Sequence, residues 1–164
     1  MIKTLKTLAA AVWFAVSILF VTSEPVAAAE PAPLTVVELF TSQGCSSCPP
    51  ADKFLGDLAK RDDILPLSVH VDYWDYIGWK DPFADPKNTQ RQRRYAKKLG
   101  LRYVYTPQMV IQGAFDATGS DRAKVKRQIG QAAKLEKLAV KISRTGDGVR
   151  VVMPDAGRVE NAAI

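Results

Sequence analysis

The tightest constraint on this chain is the run Val36-Val-Glu-Leu-Phe-Thr-Ser-Gln-Gly-Cys-Ser-Ser-Cys-Pro-Pro50, which holds both of its cysteines, three positions apart. Residues 35–40 are β-branched and apolar, as a buried strand requires. Pro49 and Pro50 fit only the first turn of a helix, where a missing N–H costs nothing. Phe54, Leu55, Leu58 and Ala59 then recur at helical spacing. The local order is therefore strand, Cys-Ser-Ser-Cys, helix.

A disulfide closing so short a loop removes little unfolded-state entropy, so stability is a poor reason for this spacing. Thiol chemistry is a better one. Two intervening residues predict Cys45 at the exposed start of the helix and Cys48 a turn deeper, within disulfide reach. Free N–H groups and the positive end of the helix dipole then favour a thiolate at Cys45. Cys45 is the expected nucleophile and Cys48 the resolving thiol. Half of a zinc site has the same spacing, but no second cysteine pair exists and His70 is the sole histidine.

Residues 64–71 read as a second strand, returning parallel to the first across the helix. The aromatic stretch Tyr73-Trp-Asp-Tyr-Ile-Gly-Trp79 precedes a basic helix over 88–99, ended by Gly100, with Tyr95, Ala96 and Leu99 facing inward. A third strand is expected over 104–111, entered through Thr106-Pro107. Gln112-Gly113 turns the chain into a short run near 114–117. Asp121 caps a last helix reaching about residue 138. Residues 140–143 and 149–153 alternate about Gly146-Asp147-Gly148 as a hairpin.

The N-terminus has the three regions of a secretory signal: Lys3 and Lys6, an uncharged stretch over 8–21, and Ala27-Ala-Ala29. Residues 1–29 are expected to be a cleaved signal peptide, with an uncleaved anchor as the alternative, and the mature protein periplasmic or extracellular. The apolar run falls short of the roughly 20 residues that span a bilayer, so no stable membrane span is expected. Removing 29 of the 164 residues leaves 135, enough for one domain over 30–138 with a β extension over 139–164. Losing two lysines and Glu24 takes the net charge from +6 to +5. In an exported protein that excess suits a solvated surface or acidic envelope components, so no nucleic-acid partner is expected.

The segments Val36-Val-Glu-Leu-Phe40 and Lys98-Leu-Gly-Leu-Arg-Tyr-Val-Tyr-Thr-Pro-Gln-Met-Val-Ile111 resemble the thioredoxin superfamily. The resemblance implies a three-layer α/β fold, with a central mixed sheet between flanking helices, to which the hairpin is appended. It also implies a cis bond at Pro107 beside the cysteines, with the Thr106 backbone aligning a substrate strand. Sequence chemistry alone would make that bond trans, since about 5–6% of such bonds are cis. In the superfamily a buried acid relays a proton to the resolving thiol, and Glu38 is its counterpart here; the plainer alternative is a strand glutamate reaching solvent or a lysine. The Thr106 hydroxyl is expected to bond a sulfur or to cap a turn. A closer similarity, over residues 38–52 and 70–75, is to exported thioredoxin-like proteins catalogued as a domain of unknown function. Members of that family continue past a position like Ile164, so a shortened member is expected.

These readings predict an exported thiol–disulfide oxidoreductase. Its cofactor is the redox-active disulfide itself, and its partners are protein thiols or disulfides of the cell envelope and a redox partner protein. A copper-delivery protein holding Cu(I) on Cys45, Cys48 and His70 is the alternative, because soft sulfur with imidazole suits that ion. Trp74, with Tyr76, Trp79 and Phe83, is placed either in a substrate groove beside the cysteines or in the core. Arg91, Arg93, Arg94, Lys97 and Lys98 read as the solvated face of their helix and are given no site.

Overall fold

A strand as apolar as Thr35–Thr41 (β1) has to be covered on both faces, and this requirement organises the computed structural model, which describes residues 34–138 and 140–153. β1 lies inside a four-stranded sheet of order β2-β1-β3-β4, where β2 is Ile64–His70, β3 is Gln108–Ile111 and β4 is Phe115–Thr118. β2 runs parallel to β1 in the register Thr35↔Ile64 to Thr41↔His70. β3 is antiparallel to β1, pairing Glu38 with Val110, and β4 is antiparallel to β3. Pro66 is tolerated because β2 is an edge strand.

Strand alternation sends Val37 and Leu39 of β1, with Met109 and Ile111 of β3, to one face. Two helices cover it: α1 (Pro49–Leu58) through Phe54, Leu55 and Leu58, and α3 (Arg122–Ala132) through Val125, Ile129 and Ala132. Phe40 and Val110 point the other way, where Val71 and Tyr95 of the third helix, α2 (Pro86–Lys98), meet them. Helices on both faces of a mixed sheet give the three-layer, thioredoxin-like arrangement. A separate antiparallel hairpin, β5 (Lys141–Thr145) with β6 (Gly148–Val152), follows it.

Two boundaries and one buried face differ from expectation. β3 begins at Gln108 rather than 104, because Pro107 has no N–H to enter the ladder. α3 ends at Ala132 rather than near 138: the next apolar side chains, Leu135 and Leu138, lie exposed and supply no burial to extend the helix. The buried face of α2 is Thr89, Gln92 and Ala96, with Tyr95 and Leu99 only half covered. That face is polar because its ligands are carboxylate and carbonyl groups. The hairpin lies where expected, although Ile142, Val149 and Val151 are exposed. The expected signal segment, residues 1–29, lies outside the described residues, as does the end of the chain from 154.

Gly119 is the tightest point of the domain. A Cβ there would come within 2.8 Å of Ala51 Cβ on α1, and 3.2 Å from both Leu39 Cδ1 and Pro107 Cβ. The missing side chain lets α1, β1 and the Pro107 loop close on one another. Gly119→Ala should therefore lower unfolding stability by about 1–3 kcal/mol, the usual cost of overpacking a dense core. Urea denaturation reads this directly, and an unchanged midpoint would contradict the packing.

Candidate functional site

Three chain segments meet at the edge where β1 and β2 end and β3 begins: the loop Ser42–Cys48, the aromatic segment after β2, and the turn leading to Pro107. Carboxyl ends of parallel strands are where α/β folds place their chemistry. Cys45 and Cys48 form a disulfide there, with Sγ atoms 2.09 Å apart and Cα atoms 5.4 Å apart, inside the usual range. Thr106-Pro107 is cis, as the resemblance implied, and Pro107 Cβ and Ala51 Cβ of the first turn of α1 both border the open position on Gly119.

Cys45 departs from the expected exposed position, being only 2% accessible while Ser46 and Ser47 are exposed. The loop is covered from the aromatic side, where the open position on Gly44 faces Trp74 Cβ and Ile77 Cδ1 at 3.1 Å each. The expected thiolate donors also need correction. Pro49 and Pro50 have no N–H, and the Ala51 and Asp52 amides both bond to the Cys48 carbonyl. A donor beside the sulfur comes from the loop itself: the Ser47 hydroxyl lies 3.5 Å from Cys45 Sγ, and among the described residues the Ser46 and Ser47 amides of the same loop have no backbone acceptor.

The loop is fastened through Asp81, whose carboxylate is buried. Asp81 Oδ2 accepts from the Gln43 amide at 2.8 Å and pairs with His70 Nδ1 at 2.7 Å, while Oδ1 accepts from the Phe83 amide at 3.0 Å. Trp79 Nε1 donates to Gln43 Oε1 at 2.9 Å, adding a second tie to the same residue. Burial pushes the Asp81 carboxyl up, but the hydrogen bonds from His70, Gln43 and Phe83 and the charge of His70 outweigh it, holding the group below the ordinary carboxylate range. Sequence reading missed Asp81; its one signal is a carboxylate closing the aromatic stretch eleven residues after the sole histidine.

The other expected site residues divide. Trp74 and Thr106 come together, Trp74 Nε1 donating to Thr106 Oγ1 at 2.7 Å. Gln92, fully buried on α2, donates to the Tyr105 carbonyl at 2.7 Å and to Gln108 Oε1 at 2.9 Å, and accepts from Tyr73 at 3.1 Å. This glutamine binds the turn before Pro107 to the aromatic segment. Glu38 is buried, yet its carboxylate is taken by Arg91 at 2.5 and 3.0 Å and by Tyr95 at 2.6 Å, and neither cysteine bonds to it. Those contacts describe a structural ion pair, not the relay that the resemblance implied. Arg91, expected on a solvated face, is its partner.

His70 Nδ1 pairs with Asp81 and its ring meets Phe83 edge-on at 5.4 Å; with the two cysteines joined in the disulfide, no group of three His, Cys, Asp or Glu side chains among the described residues is placed to hold a metal ion. Tyr76, Trp79 and Phe83 are exposed around the loop rather than packed in the core.

A family model described as "Protein of unknown function (DUF1223)" matches residues 36–163. Among solved structures, the crystal structure of protein AGR_C_4864 from Agrobacterium tumefaciens is similar at 40% identity with a TM-score of 0.68. The alignment covers 76% of this chain and 58% of that one, so this chain spans little more than half the length of its structural relative. No curated protein matches the chain.

Because the Asp81 carboxyl sits below its unfolded value, its contribution to stability is present above the unfolded pKa of about 3.9 and disappears as pH falls through the lower folded value. Wild type should therefore exceed Asp81→Asn in stability at neutral pH, with the gap narrowing below about pH 4. Thermal midpoints of both proteins across pH 3–7 check this. A gap that is constant with pH would rule out the ionised clamp.

Proposed function

This chain belongs to the DUF1223 family, and from its own site we propose that it is an exported thiol–disulfide oxidoreductase exchanging disulfides with proteins of the cell envelope. The Cys-x-x-Cys pair at disulfide distance is compatible with a redox role. The observation carrying the reading is the position of that pair, at the head of α1 and the carboxyl edge of the sheet, with Ala51 of the first turn of α1 and the cis Pro107 both bordering Gly119. Support for export is the charged, apolar and alanine-rich order of residues 1–29.

In the reducing direction the Cys45 thiolate attacks one sulfur of a substrate disulfide, joining Cys45 Sγ to that sulfur and expelling the other as a thiolate. Cys48, deprotonated, then attacks Cys45 Sγ, re-forming the intramolecular disulfide and releasing the second substrate thiolate. The substrate gains two electrons, and the protons lost by the two cysteines end on its thiols. The same steps in reverse oxidise a substrate dithiol. The Ser47 hydroxyl and the free loop amides stabilise the attacking thiolate. Reaching Cys45 in the oxidised form requires the Trp74–Ile77 cover to shift, so the Asp81 and Thr106 ties set how readily the sulfur is exposed. Thr106, Pro107 and Trp74 then border the substrate.

Insulin reduction and reactivation of reduced ribonuclease measure the two directions. Wild type should be active in at least one, and Cys45→Ser should fall to the uncatalysed background in both. Wild-type rates equal to that mutant in both assays would overturn the proposal.

A further inference from the structure

Toward the end of β1 away from the cysteines, Val36, Glu38, Arg91, Tyr95, Lys98, Gln112 and Gly113 line an open cavity of about 250 Å³. A smaller recess, adjoining it through Arg91, Tyr95 and Lys98, adds Arg94 to the rim. Three cations and one carboxylate face this space, and that carboxylate is spent. Glu38 already receives two hydrogen bonds from Arg91 and one from Tyr95, so the surplus of two positive charges is not neutralised by anything lining it.

The donors, by contrast, are free to bind. Arg91 uses Nε and Nη2 on Glu38 and Tyr95, leaving its Nη1 without an acceptor among the described residues. Gln112 fixes its amide oxygen on the Val36 N–H at 3.0 Å, which leaves the amide nitrogen as a donor. Gln112 is also held in place: with Gly113 it makes the tight turn between β3 and β4, at φ 51° and 61°, closed by the Ala114 N–H on the Ile111 carbonyl at 3.0 Å, and its own N–H bonds back to the Val36 carbonyl at 2.8 Å.

We propose that this cavity is a binding site for a small oxyanion, a phosphate or carboxylate group, held by Arg91, Lys98 and Gln112 with Arg94 at the rim. The buried Glu38 carboxylate fixes one edge of the Arg91 guanidinium and so aims the other at the ligand, a division of labour that a planar, five-donor group allows. The site lies about 16 Å along β1 from the redox loop, at about 3.3 Å per residue, and rests on no assumption about exchange activity.

Titration of the isotope-labelled protein with inorganic phosphate and, separately, with citrate tests the site by amide NMR, with chloride at matched ionic strength as the control. Saturable shifts are expected at Gln112 and Gly113 and not at Ser46 and Ser47. Saturation by phosphate alone or citrate alone supports the site and tells which chemistry it prefers. Lys98→Ala should weaken binding about tenfold, as expected for losing a charge-assisted hydrogen bond, and Arg94→Glu, on the exposed rim, should weaken it with the fold intact. Non-saturating shifts, the same shifts with chloride, or unchanged affinity in folded Arg94→Glu would overturn the proposal.

Discussion

Burial of β1 on both faces is the constraint from which the rest of the molecule follows. Val37 and Leu39 demand an apolar cover on one side, which α1 and α3 supply, while Phe40 and Glu38 turn to the other. An acidic side chain inside a sheet cannot remain ionised and unpartnered. Arg91 and Tyr95 answer that need and thereby dock α2, so a charged residue organises the layer that hydrophobic burial leaves thin. Once both faces are closed, the carboxyl end of β1 has one direction to leave, and it leaves into the Cys45 loop.

The redox loop is held by neighbours more than by its own helix. Asp81 ties Gln43 to His70, Trp74 meets Thr106, and Gln92 joins the Tyr105 carbonyl to Tyr73. These bonds connect the three segments of the edge into one frame, and each crosses between elements that separate strands present. The two prolines that open α1 remove donors that a helix start would normally offer, while the Ser47 hydroxyl of the loop lies 3.5 Å from Cys45 Sγ.

Features expressed by local chemistry were legible in the sequence. The strand before the cysteines, the prolines opening α1 and the hairpin each follow from periodicity or from a missing N–H, and Pro107 stood out through resemblance. Features created by folding were not. Arg91 and Glu38 are 53 residues apart, and nothing local distinguishes this arginine from Arg93 or Arg94. Gln92 is a buried polar residue one turn before Ala96 on the same face of α2, and hydrophobic spacing is blind to the part of a face built from hydrogen bonds. The placement of the Trp74–Ile77 segment against Gly44 depends on how that segment folds back, which its composition left open between groove and core.

The central claim is that Cys45, not Cys48, is the attacking sulfur once the pair is reduced. Partial alkylation of the reduced protein with substoichiometric iodoacetamide at neutral pH, followed by peptide mass mapping, measures this directly. The account predicts label on Cys45 well in excess of Cys48, because the Ser47 hydroxyl lies 3.5 Å from Cys45 Sγ, where it would stabilise a thiolate at that sulfur. Equal labelling of the two cysteines, or preferential labelling of Cys48, would contradict it.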